Sequence, residues 1–262
     1  MKKKLSILIF SLLSIYCSAQ TSAYFNDTLY PFGAGAYNFD GVCQDDSFYY
    51  VLGGVNNFES NWQLMILKLN RNGVVTNKKK YTDSSLYHAS YPFNSIENQQ
   101  KTLTVITSIV DSLNRVHGKV YSINKYTLDT CWTKAYPHPD TTTIASPSDY
   151  YSVFTAIKAT SDGGYILGGN HMSSGNVRSY LRKVDSVGNT QWVKAYNNVI
   201  YLYDIDLHDS GYVFLHKFGY KVNKISFTDS LGNIIHERLI NNGYTGTTVS
   251  SLAKSGQSEY VG

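Results

Sequence analysis

The stretch that decides the fold is Ala156–Tyr196, AIKATSDGGYILGGNHMSSGNVRSYLRKVDSVGNTQWVKAY. With the residues just before it, it holds four strand-like runs separated by turn residues. Val153–Ala159 partly alternates apolar and polar side chains, and Ser161-Asp162-Gly163-Gly164 turns the chain back. Tyr165-Ile166-Leu167 is apolar throughout, as a strand covered on both faces would be, and Gly168-Gly169 is expected to end it. Ser173–Asn176 makes the next turn, Val177–Val184 a third strand, Asp185–Asn189 a further turn and Thr190–Tyr196 the fourth strand. Four strands in roughly forty residues is the size of one propeller blade.

The same signals recur on both sides. Phe48–Gly54 matches Gly164–Gly169, and Leu64–Gly73 matches the strand and turn that end at Gly188. Downstream, Asp209–Phe214 and Thr228–Asn233 repeat the pair. A more divergent copy spans Lys101–Ile109, Val120–Asp129 and Cys131–Tyr136; it has lost the glycines but keeps Trp132-Thr133-Lys134-Ala135-Tyr136, seen again at Trp192–Tyr196. A unit this small cannot bury its apolar face alone, so neighbouring copies must stack. The expected fold is therefore all-β, a propeller-like array of four-stranded blades over 41–262. From Gly41 about four blades are present, and Ser251–Gly262 reads as the opening of a fifth, as in a piece of a longer protein.

The pattern D-G-G-Y-x-x-G-G followed by K-x-D-x-x-G-N-x-x-W-x-K-x-Y resembles the propeller repeats of surface and secreted proteins from bacteria with type IX secretion. That resemblance implies an exported protein whose parent carries a C-terminal sorting domain, and it implies no particular activity. Asp185–Trp192 also resembles an Asp-box, but Lys183 occupies the serine position and the spacing around Gly188 is longer, which does not support a sialidase.

Met1–Ala19 reads as a secretory signal: Lys2, Lys3 and Lys4, then an apolar run, then Cys17-Ser18-Ala19 before Gln20. Residues 20–40 form an N-terminal segment. Lipidation at Cys17 is the rival reading, with the bulky Tyr16 against it. The chain has 23 basic and 19 acidic residues, and removing the signal lysines leaves it close to neutral. No basic stripe marks a nucleic-acid partner, and the apolar run of the signal is too short for a membrane helix. Lys78-Lys79-Lys80 fits a solvated strand edge. Cys43 and Cys131 occupy different points of their repeats, which does not favour a bond between them. Neither lies in a C-x-x-C motif.

Few residues suggest chemistry. Asp204, Asp206 and His208 alternate along one strand and would share a face, with Ile205 and Leu207 on the other. They are a candidate cation or proton-transfer group with His216 one hairpin away, although an ordinary strand with a polar face explains them too. His88, His117, His138 and His171 stand apart. No calcium loop, nucleophile elbow or cofactor motif is present, and no cofactor is expected. Tyr150, Tyr151, Tyr201 and Tyr203 are candidates to stack on sugar rings, with packing as the plainer alternative. The long loop Pro137–Asp149 and a second connection, Thr82–Asn94, join repeats. Thr28, Ser112, Thr141, Ser186 and Ser230 each follow an aspartate and precede an apolar residue or threonine. That pattern resembles the periplasmic O-glycosylation motif of the same bacteria, and Asp-Ser is also good turn chemistry.

The main expectation is an exported, non-enzymatic binding or adhesion scaffold with an extracellular glycan or protein partner. The alternative is a polysaccharide-degrading enzyme whose carboxylates converge from several blades, leaving no linear motif.

Overall fold

The computed structural model describes residues 31–32, 36–56, 62–86, 96–99, 101–137, 139, 151–173, 176–209, 211–218, 222–240, 251–255 and 259–261. Blade one comprises β1 (Ala36–Gln44), β2 (Phe48–Asn56), β3 (Trp62–Asn70) and β4 (Val75–Leu86). Blade two comprises β5 (Ile96–Asn98), β6 (Thr102–Val110), β7 (Val116–Asn124) and β8 (Thr130–Tyr136). Blade three is β9 (Tyr151–Ala159), β10 (Tyr165–Ser173), β11 (Asn176–Val184) and β12 (Thr190–Tyr196). Blade four is β13 (Val199–His208), β14 (Gly211–Phe218), β15 (Val222–Thr228) and β16 (Ile234–Ile240). A short hairpin, β17 (Ala253–Ser255) with β18 (Glu259–Val261), follows. Each blade is an antiparallel meander. Among the described residues, backbone pairing between blades one to three consists of single bridges, Leu86 to Ile109 and Val116 to Tyr151. The architecture is all-β and propeller-like.

The core lies between blades. Tyr50, Leu52, Leu64 and Ile66 of blade one meet Leu103, Val105, Tyr121 and Ile123 of blade two. Ile106, Val120 and Tyr136 meet Phe154, Leu167 and Tyr180 of blade three, and Ala156, Ile166 and Tyr196 meet Leu202, Tyr212 and Phe214 of blade four. Both faces of a blade's middle strands are therefore covered, which is why they read as continuous apolar runs rather than alternating ones.

A clasp recurs at every blade junction. The Tyr136 hydroxyl donates to the Gly188 carbonyl at 2.9 Å, Lys134 Nζ donates to Asn189 Oδ1 at 2.8 Å, and Trp132 Nε1 donates to the Ser186 carbonyl at 3.1 Å. One blade on, Tyr196 donates to the Gly232 carbonyl at 2.6 Å and Lys194 to Asn233 Oδ1 at 2.9 Å. At the first junction Tyr81 donates to the Leu128 carbonyl at 2.8 Å, and Lys79 meets Asp129 at 2.5 Å. The accepting residue is left-handed each time, with φ of +81° at Gly188, +76° at Gly232 and +62° at Leu128. This conformation turns the carbonyl toward the neighbouring blade, and glycine adopts it without a Cβ penalty. Leu128 lacks that freedom. Its strain, about 1–2 kcal/mol, is offset by complete burial of its side chain, worth about 1.5–3 kcal/mol.

Several boundaries differ from expectation. Gly168-Gly169 does not end its strand, and β10 continues to Ser173. A Cβ on Gly168 would lie 2.5 Å from Leu202 of the next blade, and one on Gly169 would lie 2.4 Å from the Val153 carbonyl. The pair sits at a bulge where backbones approach closely, a recurrent use of glycine inside strands. β4 extends to Leu86 into the expected connection, and β7 runs Val116–Asn124 rather than Val120–Asp129. The lysine run is more than a solvated edge. Lys79 is a clasp residue, while Lys78 and Lys80 lie over the Phe32 ring at 5.3 and 5.4 Å. Both Cys43 and Cys131 are free thiols. The expected signal with Cys17, the Pro137–Asp149 loop beyond Pro137 and Pro139, and Thr28, Thr141, Tyr150, His88 and His138 lie outside the described residues.

Tyr196→Phe removes one clasp hydrogen bond, leaving the buried Gly232 carbonyl unmatched. It should lower stability by about 1–3 kcal/mol in urea unfolding. Gly232→Ala, whose Cβ meets Trp192 at 3.0 Å on a left-handed backbone, should lower it by at least as much. Unchanged midpoints for both variants would remove the clasp from the energetics of the fold.

Candidate functional site

The alternating strand residues are not brought together as a site. A bulge between Leu202 and Asp204 resets β13, after which the alternation holds from Asp204 to His208. Each polar side chain then has its own partner. Asp204 accepts from the Leu252 and Ile205 amides, both at 2.8 Å. Asp206 lies 3.9 Å from Lys158 of blade three. His208 stands 3.5 Å from Asp209 and edge-on to Phe227. Among the described residues no group of three or more histidine, cysteine or acidic side chains could hold a metal ion.

Tyr201 and Tyr203 have their rings 6.5 Å apart and nearly parallel at 23°. Tyr203 packs on the Val213–Leu215–Ile225 cluster, and burial raises its hydroxyl pKa. Tyr151 is half-buried at the start of β9. Ser112, Ser186 and Ser230 are exposed at hairpin tips. The aspartate before each closes its turn: Asp185 accepts from the Val187 and Asn189 amides at 3.0 and 2.7 Å, and Asp229 from Leu231 and Asn233 at 2.9 and 2.8 Å. Asp111 does the same for Leu113 and Arg115. The Asp-Ser pairs are thus turn-forming residues that leave the serine free at the tip.

The candidate site is a hollow of about 220 Å³ between blades three and four, which sequence reading missed. The turn after β9 supplies Thr160, Ser161 and Asp162, and β11 supplies Lys183. Blade four supplies Leu207, Asp209, Gly211, Tyr212 and Ser230. Asp162 accepts from Lys183 Nζ at 2.8 and 3.0 Å, from Thr160 Oγ1 at 2.5 Å and from the Gly164 amide at 3.0 Å. Lys183, with Thr160, holds its carboxyl at about 2, well below the usual carboxylate range. Lys183 is itself buried, with its side chain 6% exposed, and also donates to the Val184 carbonyl. Asp209 sits on the rim with φ of +41°, a left-handed value that aspartate tolerates better than most residues. Burial raises the Tyr212 hydroxyl, which stays a donor.

Elsewhere, the displaced carboxylates are displaced downward. Burial alone would raise Asp45, but the Ser47 and Phe48 amides, Lys125 and Tyr50 outweigh it and hold it at about 2. Asp111 is lowered by Arg115 and His117 against a raising effect of burial. Blade four also carries a fully buried histidine. His216 Nε2 lies 2.7 Å from Ser226 Oγ, which donates to Glu237 Oε1 at 2.9 Å. The serine, not the histidine, stands in the middle, and it is fully buried. The order of a Ser-His-acid nucleophile is therefore absent here. Burial pushes His216 down to about 4, only partly offset by the Lys217 backbone and the Glu237 carboxylate.

No protein-family model matches the chain, and no curated protein matches it. Solved structures do. A GH43 beta-xylosidase/alpha-arabinofuranosidase from a compost microbial metagenome aligns at 10% identity with a TM-score of 0.44, covering 78% of this chain and 77% of that one. A GH43_1 enzyme from Xanthomonas citri, complexed with xylose, aligns at 11% identity with a TM-score of 0.43, over 74% and 71% of the two chains. A quinohemoprotein alcohol dehydrogenase from Pseudomonas putida aligns at 12% identity with a TM-score of 0.48, over 76% of this chain and 34% of that one. At such identities the likeness is one of fold. It corrects the main functional expectation: the similar solved chains are enzymes, and the non-enzymatic binding or adhesion scaffold is withdrawn.

The folded pKa of His216 lies below its ordinary 6.5, so the unfolded chain binds the proton more tightly. Its contribution is complete above pH 6.5 and is lost as pH falls toward 4. Urea unfolding should show declining stability across that window, and His216→Gln should flatten it. Below about 3.8, protonation of Asp45 and Asp162 should destabilise both proteins alike. Parallel profiles above pH 4 would count against a buried neutral His216.

Proposed function

We propose that the chain is an exported polysaccharide-degrading propeller that holds one sugar unit of its substrate in the hollow between blades three and four. The observation that supports this reading is that carboxylates from two blades, Asp162 and Asp209, reach one small hollow among hydroxyl groups and an aromatic side chain. Sugar recognition needs fixed acceptors for hydroxyl protons, donors for ring and hydroxyl oxygens, and an apolar surface for the C–H face. Asp162 and Asp209 supply acceptors; Ser161 and Ser230 supply donors; Leu207 and Tyr212 supply the apolar wall. The hollow is smaller than the roughly 300–1,000 Å³ of drug-sized ligand sites, which suits one ring of a longer chain.

Asp162 is organised for binding rather than for proton donation. A general acid needs a carboxyl pKa raised toward the working pH, whereas Lys183 fixes Asp162 as a carboxylate. The lysine also spends no part of its charge on substrate, since it is buried against Asp162 and the Val184 carbonyl. The hollow therefore acts as a preorganised subsite, and substitutions in it act on KM more than on kcat.

Release of reducing ends from a panel of neutral and amino-sugar polysaccharides tests the reading. At least one should be cleaved. Ser161→Trp, which fills the hollow from an exposed position, should raise KM for it about tenfold, a loss of roughly 1.4 kcal/mol in binding, with kcat little changed. No release from any member would overturn the proposal.

A further inference from the structure

The first hairpin turns of blades one, three and four each carry an aspartate, and two of the three already hold an ammonium group. Asp45 lies 3.2 Å from Lys125 Nζ, contributed by blade two, and Asp162 lies 2.8 Å from Lys183 Nζ. Both lysines are almost fully buried, at 8% and 6% exposure of their side chains. Among the described residues Asp209 has no such partner. Register places Phe227 opposite Val213 as Lys183 stands opposite Ile166, so blade four has a ring where blade three has its lysine. The His208 imidazole lies 3.5 Å from Asp209, whose carboxylate is 84% exposed. Within the hollow, Lys183 cancels Asp162, and Asp209 leaves one negative charge over.

We propose that the hollow selects a sugar unit carrying a protonated amine, with the ammonium group on Asp209 and the ring hydroxyls on the other lining groups. The inference rests on the reading of the hollow as a sugar subsite and names the substrate class it takes. The geometry argues for an amine rather than a metal ion, because the lining offers two carboxylates and one of them is held by a lysine. It argues against an acidic sugar, whose carboxylate would meet Asp209 with no free cation in the lining. The ammonium replaces the lysine that the equivalent turns receive from their own chain. The rim position makes the selectivity modest, since a solvent-exposed ion pair is screened by salt.

Glucosamine, glucose and N-acetylglucosamine, titrated into the whole protein and followed by chemical-shift perturbation of the hollow residues, separate the possibilities. Glucosamine should bind about two- to fivefold more tightly than glucose, and N-acetylglucosamine, which lacks the charge, should behave like glucose. Asp209→Asn keeps the left-handed turn, which asparagine also tolerates, and should erase the preference, so that glucosamine and glucose bind the variant equally. High salt should erode it in wild type. Equal binding of all three sugars to wild type would overturn the amine selectivity and leave the sugar subsite standing. A glucosamine preference that survives in Asp209→Asn would overturn the role of Asp209. Absence of binding by all three, with Ser161→Trp indistinguishable from wild type, would overturn the subsite as well.

Discussion

The structure depends on one hydrogen bond repeated from blade to blade: a tyrosine hydroxyl on an outer strand donating to the carbonyl of a left-handed turn residue in the next blade. Tyr81, Tyr136 and Tyr196 all make it. Among the described residues, backbone pairing between the first three meanders is limited to isolated bridges, and apolar packing between sheets is non-directional. The clasp supplies the missing direction. A tyrosine ring buries its body against the neighbouring sheet while its hydroxyl finds one carbonyl, and the lysine two residues earlier finds one acceptor on the following residue. Together these set both the distance and the slide of one blade against the next. The hollow between blades three and four inherits its dimensions from this arrangement, because Ser230 belongs to the same turn as Gly232.

The fold was legible because both halves of the clasp are written in the chain. Trp-x-Lys-Ala-Tyr is the donor strand and Asp-x-x-Gly-Asn is the acceptor turn, so a mechanical joint registers as a sequence repeat. Where the joint changes chemistry, legibility falls. Blade one uses Lys79 and Tyr81 without the tryptophan, and blade two accepts through Leu128 instead of glycine. The Gly168-Gly169 boundary was misread for a related reason. Paired glycines ordinarily punctuate a chain, but here they admit Leu202 and the Val153 carbonyl at distances no side chain permits. The three-residue β5 carried too few residues for any periodicity to show.

Sites were far less legible than strands. Asp204, Asp206 and His208 alternate along β13, yet periodicity says nothing about what stands opposite them. Leu252, Lys158 and Asp209 take them one by one. The hollow has the converse character. Its residues share no single motif, since it arises from turns of two blades that are remote in sequence. The five residues between β9 and β10 and the two between β13 and β14 differ in length, and such differences are invisible to a reading that seeks repetition. Blade four departs from the repeat where Phe227 replaces a lysine, and that departure matters for the site.

The carboxylates explain why a chain so rich in turn aspartates offers so few chemical groups. Asp45, Asp111, Asp185 and Asp229 bind backbone amides within their own hairpins, and these bonds, together with the Arg115 and His117 side chains at Asp111 and the Asn233 side chain at Asp229, lower each of them. Lowered carboxylates are stable anions and poor proton donors, so they hold turns in place instead of reacting. Asp162, like Asp45, fixes a buried lysine as well as an amide. Asp209 differs in that its backbone is left-handed and its side chain is exposed. The repeat thus builds the same turn residue several times as structure and once, through a shortened loop and a lost lysine, as an exposed acceptor beside a hollow. Divergence of that kind needs no new motif. A scaffold already proficient at binding ammonium groups internally can present the same contact to an external ligand by omitting its own.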